Sequence, residues 1–96
     1  MKVYISGKIS ETNIEDTRDD FEIIEQRLRR EGHEVVNPFK IKHSKKSTWE
    51  DYMRADIIEM MKCDTIYLIK GWQYSKGAKI EVQLANDLNF HFFNFK

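Results

Sequence analysis

The 96-residue chain has one cysteine, one proline and no long apolar run, and its charges cancel, with 16 Lys and Arg against 16 Asp and Glu. Each shortage excludes something. A lone Cys63 cannot form an internal disulfide, so a disulfide-stapled scaffold is excluded and a reducing compartment fits. A formal net charge of zero gives no global attraction to a nucleic acid polymer or a membrane, yet leaves room for a small anionic ligand at one local site. No stretch approaches the roughly 20 apolar residues that span a bilayer. The opening "MKVYISG" is too short and too polar for a secretory signal and reads as a strand. A soluble, cytoplasmic protein is therefore expected. His33 and His43 have no metal-ligand spacing, His91 reads as structural, and no P-loop, GxGxxG or Ser-His-Asp arrangement occurs, so neither a metal nor an organic cofactor is expected. Repeats, low-complexity segments and linkers are also missing, and the length suits a single domain over 1–96.

What is present is an alternation of patterns. "KVYIS" (2–6) is rich in β-formers and is followed by Gly7. Residues 14–31 place Phe21, Ile24 and Leu28 at spacings of three and four, which predicts an amphipathic helix stopped by Gly32. "HEVVNP" predicts a short second strand ending before Pro38, and "FKIKHSKKS" (39–47) a basic loop. Ser47 or Thr48 can cap a second helix, with Glu50 or Asp51 in its first turn and Trp49, Met53, Ile57 and Met60 along one side. "DTIYLI" (64–69) is nearly all apolar, the pattern of a central parallel strand buried on both faces. A third helix begins at Ser75, and "FHFFNF" closes the chain as a last strand. The order β-α-β-α-β-α-β predicts an α/β three-layer sandwich with a four-stranded parallel sheet, flavodoxin- or Rossmann-like. Ligands of such folds bind at the carboxyl ends of the strands, where residues 6–8, 37–38 and 71–77 converge.

Two carboxylates stand out against that frame. Glu81 falls on the helical stripe formed by Gly77, Ile80, Leu84, Ala85 and Leu88, and with Ser75 as cap it is not the capping-box residue. A buried carboxylate costs several kcal/mol unless it is paired or hydrogen-bonded. Glu81 is thus either a pocket residue, a partly exposed edge residue, or half of an ion pair with Lys8 or Lys79. Asp56 shares a line with Trp49, Tyr52, Met60 and Cys63, one position off the main stripe, and is either a boundary aspartate paired with Lys or Arg or a second site carboxylate. Two carboxylates directed from different helices toward the strand ends would suit glycosidic-bond chemistry. Tyr4 is either core or, because a buried hydroxyl needs a partner, hydrogen-bonded to a carboxylate of the third helix. Ser75 and Gly77 open a helix N-terminus, where free amides favour an anion, although most serines there merely cap. The lysines at 40, 42, 45 and 46 read as a solvated loop, and Cys63 as buried filler.

"VYISGKI", "GHEVVNP", "WEDYMRADI" with "CDTIYLIKGW", and "SKGAKIEVQLA" together resemble the nucleoside 2-deoxyribosyltransferase superfamily, nearest its short bacterial and phage branch and similar also to the 2′-deoxynucleoside 5′-phosphate N-hydrolases. The similarity runs in order along nearly the whole chain, and Ser75-x-Gly77-x-x-x-Glu81-x-x-x-Ala85 is its most specific piece. It implies that Glu81 is a nucleophile at the anomeric carbon, that Tyr4 hydrogen-bonds it, and that Asp56 assists proton transfer to the leaving base. It further implies that Ser75 and Gly77 help hold a 5′-phosphate and that Gly7 lets the backbone approach the ligand; Lys8 and Asn37, from their place at the strand ends, are expected to border the substrate. The chain departs from the hydrolases at Lys8, where a small residue is usual, at Ser10 and Glu11, where arginine and glycine are usual, and at Gln83, where glycine is usual. The expected function is cleavage or transfer of the N-glycosidic bond of a 2′-deoxynucleoside or its 5′-monophosphate. The alternatives are a non-catalytic nucleotide-binding module on the same fold, a sensor or sequestering protein, and a structural assembly protein. A small-molecule nucleoside or nucleotide is the expected partner. A homodimer or higher homo-oligomer is expected from the resemblance and from the aromatic tail.

Overall fold

The computed structural model describes residues 1–9 and 13–94. Four strands, β1 (Lys2–Ser6), β2 (Glu34–Val36), β3 (Thr65–Leu68) and β4 (His91–Phe93), alternate with three helices, α1 (Ile14–Arg30), α2 (Trp49–Met60) and α3 (Lys76–Asp87). All strand pairings are parallel and the sheet order is β2-β1-β3-β4. The fold is α/β of the Rossmann or flavodoxin-like kind. From β1 the chain steps to β2, then crosses back over β1 to β3. The reversal places the topological switch point between β1 and β3, where the loops after these strands diverge.

Alternation along the strands divides the core into two layers. Val3 and Ile5 of β1 and Tyr67 of β3 pack with Phe21 and Leu28 of α1. Tyr4 of β1 and Ile66 and Leu68 of β3 face the other way, toward Met60 of α2 and Ala85 of α3. Each of the three middle residues of β1 is fully buried and all of β3 is buried, as a central strand covered on both faces requires.

The helix ends explain where each element starts and stops. Gly32, at φ 92°, donates its N–H to the Arg29 carbonyl, and His33 donates to that of Leu28, which closes α1 with the paired bonds of a left-handed cap. At the start of α2 the Thr48 hydroxyl accepts from the Asp51 N–H while the Asp51 carboxylate accepts from the Thr48 N–H. That reciprocal box selects Thr48 and Asp51 from the residues the sequence allowed. Ser75 caps α3 by accepting from the Ala78 N–H at 3.1 Å. Caps of this kind contribute about 1 kcal/mol each.

Two helix registers differ from expectation. The inward line of α3 is Ala78, Glu81 and Ala85, whereas Ile80 and Leu88 are exposed. Small alanines let α3 approach the sheet closely, so the larger side chains turn to its flanks. On α2 the inward line is Met53, Asp56 and Met60, and Trp49 is 43% exposed. The aromatic tail is partly absorbed by the chain itself: Phe93 packs against the α1-side core and Phe90 and Phe92 against the other. Phe95, predicted to continue the last strand, lies outside the described residues. Among the described residues no helix is long and apolar enough to cross a membrane.

Candidate active site

Because side chains alternate across a strand, Tyr4 and Ser6 emerge on the same face of β1, two residues apart. Both meet Glu81. The Tyr4 hydroxyl donates to Oε2 at 2.7 Å and the Ser6 hydroxyl donates to Oε1 at 2.7 Å, so each carboxylate oxygen has its own donor. Glu81 is 5% exposed, and among the described residues no cation pairs with it; Lys8 and Lys79 are exposed. Its burial is therefore compensated by two hydroxyls rather than by an ion pair.

Asp56 reaches the same region from α2. It is 8% exposed, and its Oδ1 lies 3.0 Å from His43 Nε2. The imidazole is held in turn against the Tyr52 ring, with centroids 4.3 Å apart. The boundary aspartate with a Lys or Arg partner is thus corrected to a buried aspartate with a histidine partner. The cause is the inward turn of α2, which buries most of Asp56 and sets it within reach of His43 from the loop before the helix.

Tyr4, Glu81, Asp56 and His43 line one cleft of about 550 Å³ at the carboxyl end of β1, together with Gly7, Ser75, Gly77 and Ala78. Phe39, Trp49, Tyr52 and Met53 supply apolar and aromatic walls, and Ile9, Ile14 and Arg18 border it from the side of α1. The two glycines have packing reasons to be there. A Cβ on Gly7 would stand 2.8 Å from Ile69 Cβ, and one on Gly77 would stand 3.0 Å from Met53 Sδ. Gly77 thereby lets α3 and α2 close together at the cleft.

Residues 1–93 match the family described as Domain of unknown function (DUF4406). The chain belongs to the DUF4406 family. No curated protein matches it.

Within this DUF4406 cleft the electrostatics are unequal. Burial pushes the Glu81 carboxyl up to about 7; the Ser6 and Tyr4 hydrogen bonds oppose that rise and the negative charge of Asp56 adds to it. Asp56 is also raised, by burial, against the lowering effect of His43. Tyr4 is held well above its ordinary value, first by burial and then by Glu81, so it remains a hydrogen-bond donor. A carboxylate poised near neutrality can act as a nucleophile or a base, and an Asp–His pair beside it can hold or deliver a proton.

Not all of the expected residues gather in this DUF4406 site. Tyr4, Gly7, Asp56, Ser75, Gly77 and Glu81 do. Lys8 is exposed and does not line the cleft. Asn37 lies in a different cleft of about 510 Å³ along β2, where its amide donates to Glu25 and its carbonyl accepts from the Phe39 N–H. Ser10 and Glu11 fall outside the described residues. Two site residues, Ser6 and His43, were given no chemical role from the sequence. Ser6 could have been found from its position two after Tyr4. His43 sits in a loop without periodicity and carried no signal.

Proposed function

We propose that this protein cleaves or transfers the N-glycosidic bond of a 2′-deoxynucleoside or its 5′-monophosphate through a covalent glycosyl-enzyme, the chemistry implied by its resemblance to the nucleoside 2-deoxyribosyltransferase superfamily. The observation that carries the reading is the Tyr4–Glu81–Ser6 arrangement, a buried carboxylate with one hydroxyl on each oxygen, open to a cleft. A volume of about 550 Å³ suits a ligand of nucleoside size.

In the first step a Glu81 oxygen forms a bond to the anomeric carbon as the carbon–nitrogen bond breaks. The electron pair leaves with the base, and the Asp56–His43 pair supplies the proton that neutralises it. Tyr4 and Ser6 fix the carboxylate and spread its charge. In the second step water, or the nitrogen of a second base, gives a proton back to the pair and attacks the same carbon, which releases Glu81 with net retention. Phe39, Trp49 and Tyr52 offer flat apolar surface to a base. Ser75 and Gly77 lie at the N-terminus of α3, where the helix dipole favours a 5′-phosphate.

The test is incubation with a panel of deoxynucleosides and their monophosphates, followed by chromatography for free base. Release from at least one member is expected. Binding without release would leave a non-catalytic nucleotide-binding module in its place.

A further inference from the structure

Glu25 is a second carboxylate on an apolar helix face. It sits on α1 between Phe21 and Leu28 and is 2% exposed. Unlike Glu81 it is met by cations: Arg29 Nε at 2.7 Å on Oε2, and Lys40 Nζ at 2.9 Å with Asn37 Nδ2 at 3.1 Å on Oε1. Burial alone would raise this carboxyl, but the bonds from Lys40, Arg29 and Asn37 hold it below its ordinary value. Its partners are not scattered. Asn37 caps the short 3-10 turn Pro38–Lys40, and Lys40 is the last residue of that turn. One carboxylate oxygen therefore grips both ends of the turn that leaves β2, and Glu22 Oε2 shares the Lys40 Nζ at 2.9 Å.

That turn leads into the cleft. Pro38 and Phe39 form part of the cleft wall, and the Phe39 ring packs edge-on against Phe21 of α1 at 5.0 Å. Three residues beyond Lys40 comes His43, which reaches Asp56. It is tied to α2 by that bond and by the Tyr52 contact, so its reach depends on where the turn is anchored.

We propose that Glu25 is a positioning residue for the leaving-base proton donor: by clamping Asn37 and Lys40 to α1 it sets the loop that places His43 against Asp56. The chemical role rests on the glycosidic-bond reading, but the placement of His43 does not.

The experiment therefore has two arms, on Glu25→Gln and on Lys40→Met, the second keeping the buried helix face intact. In the first arm, nitrogen NMR of the His43 ring needs no substrate. The parent is expected to show one preferred imidazole state, and Asp56→Ala defines the released state. Both clamp variants should move at least half-way from parent to released values. Parent-like His43 signals in both would overturn the proposal, whatever the activity. In the second arm, kcat for base release should fall about tenfold or more, with KM changed by no more than about threefold, because a small misplacement of a catalytic group costs rate rather than binding. Lys40→Arg should restore most of it. An unchanged kcat in both variants would overturn the positioning role. A parent that releases no base refutes the glycosidic reading alone and leaves the NMR arm to decide the clamp.

Discussion

Replacing Glu81 by glutamine should make stability respond to pH in a way that reports directly on the buried carboxylate. In the folded chain the group is pushed to about 7, whereas its ordinary value is 4.5. A raised carboxyl means that the folded state binds the proton more tightly than the unfolded chain. Stability from this group is fully present below about 4.5 and is lost as pH rises to about 7. A rise of roughly two and a half pH units corresponds to about 3 kcal/mol. Glutamine is close in shape and does not titrate. The other titrating groups are common to both proteins, and Tyr4, which feels the Glu81 charge, ionises well above this window. Urea unfolding at pH 4.5, 5.5, 6.5 and 7.5 should therefore show the Glu81→Gln variant gaining on the parent through that window, by about 2–3 kcal/mol in total, with little further change above it. A difference that stays flat from pH 4.5 to 7.5 would refute the reasoning, since Glu81 would then be solvated or neutralised by an unseen cation.

Loss of either hydroxyl should make Glu81 harder to ionise. Ser6→Ala and Tyr4→Phe each remove a hydrogen bond to a charged group, worth about 1.5–3 kcal/mol, so the acidic limb of the pH–rate profile should move up by roughly one to two units; an unmoved limb would separate Glu81 from the rate. If Ser75 and Gly77 hold a phosphate, calorimetry should show a deoxynucleoside monophosphate binding more tightly than the bare nucleoside, with the preference reduced in Ser75→Ala; equal affinities would remove the phosphate. Ile58 on α2, Ile80 on α3, and Met61 and Leu88 just past the ends of these helices leave apolar side chains exposed, and we expect a homodimer or larger assembly; light scattering that shows only monomer at high micromolar concentration would contradict it.

The fold was legible because its signals are local. The apolar run of β3, the Gly32 stop and the Ser75 cap each follow from a few neighbouring residues, and the β-α alternation leaves few topologies open. Glu81 was legible as an anomaly, a charge on a helix face that also carries Ala85, and Tyr4 as a buried hydroxyl in search of a partner. The rest depended on contacts between residues far apart in sequence. Whether Asp56 turned inward was set by the packing of α2, and its partner His43 comes from an irregular loop 13 residues earlier. Glu25 broke the apolar stripe of α1 in the same way as Glu81, yet Asn37 and Lys40, which stabilise it, lie beyond the next strand. The rotation of α3 followed the small size of Ala78 and Ala85, which a count of apolar positions does not weigh.

The central claim is a covalent bond between Glu81 and a deoxyribosyl group, and mass spectrometry tests it most directly. The protein is mixed with whichever deoxynucleoside or monophosphate it cleaves, quenched in acid within seconds, and digested. The peptide that contains Glu81 should carry the added mass of the sugar, or of the sugar phosphate, alongside free base. Glu81→Ala should give neither the adduct nor turnover, with a rate loss on the order of a thousandfold or more. Base released at the parent rate by Glu81→Ala, with no adduct on the parent peptide, would contradict the assignment of Glu81 as nucleophile.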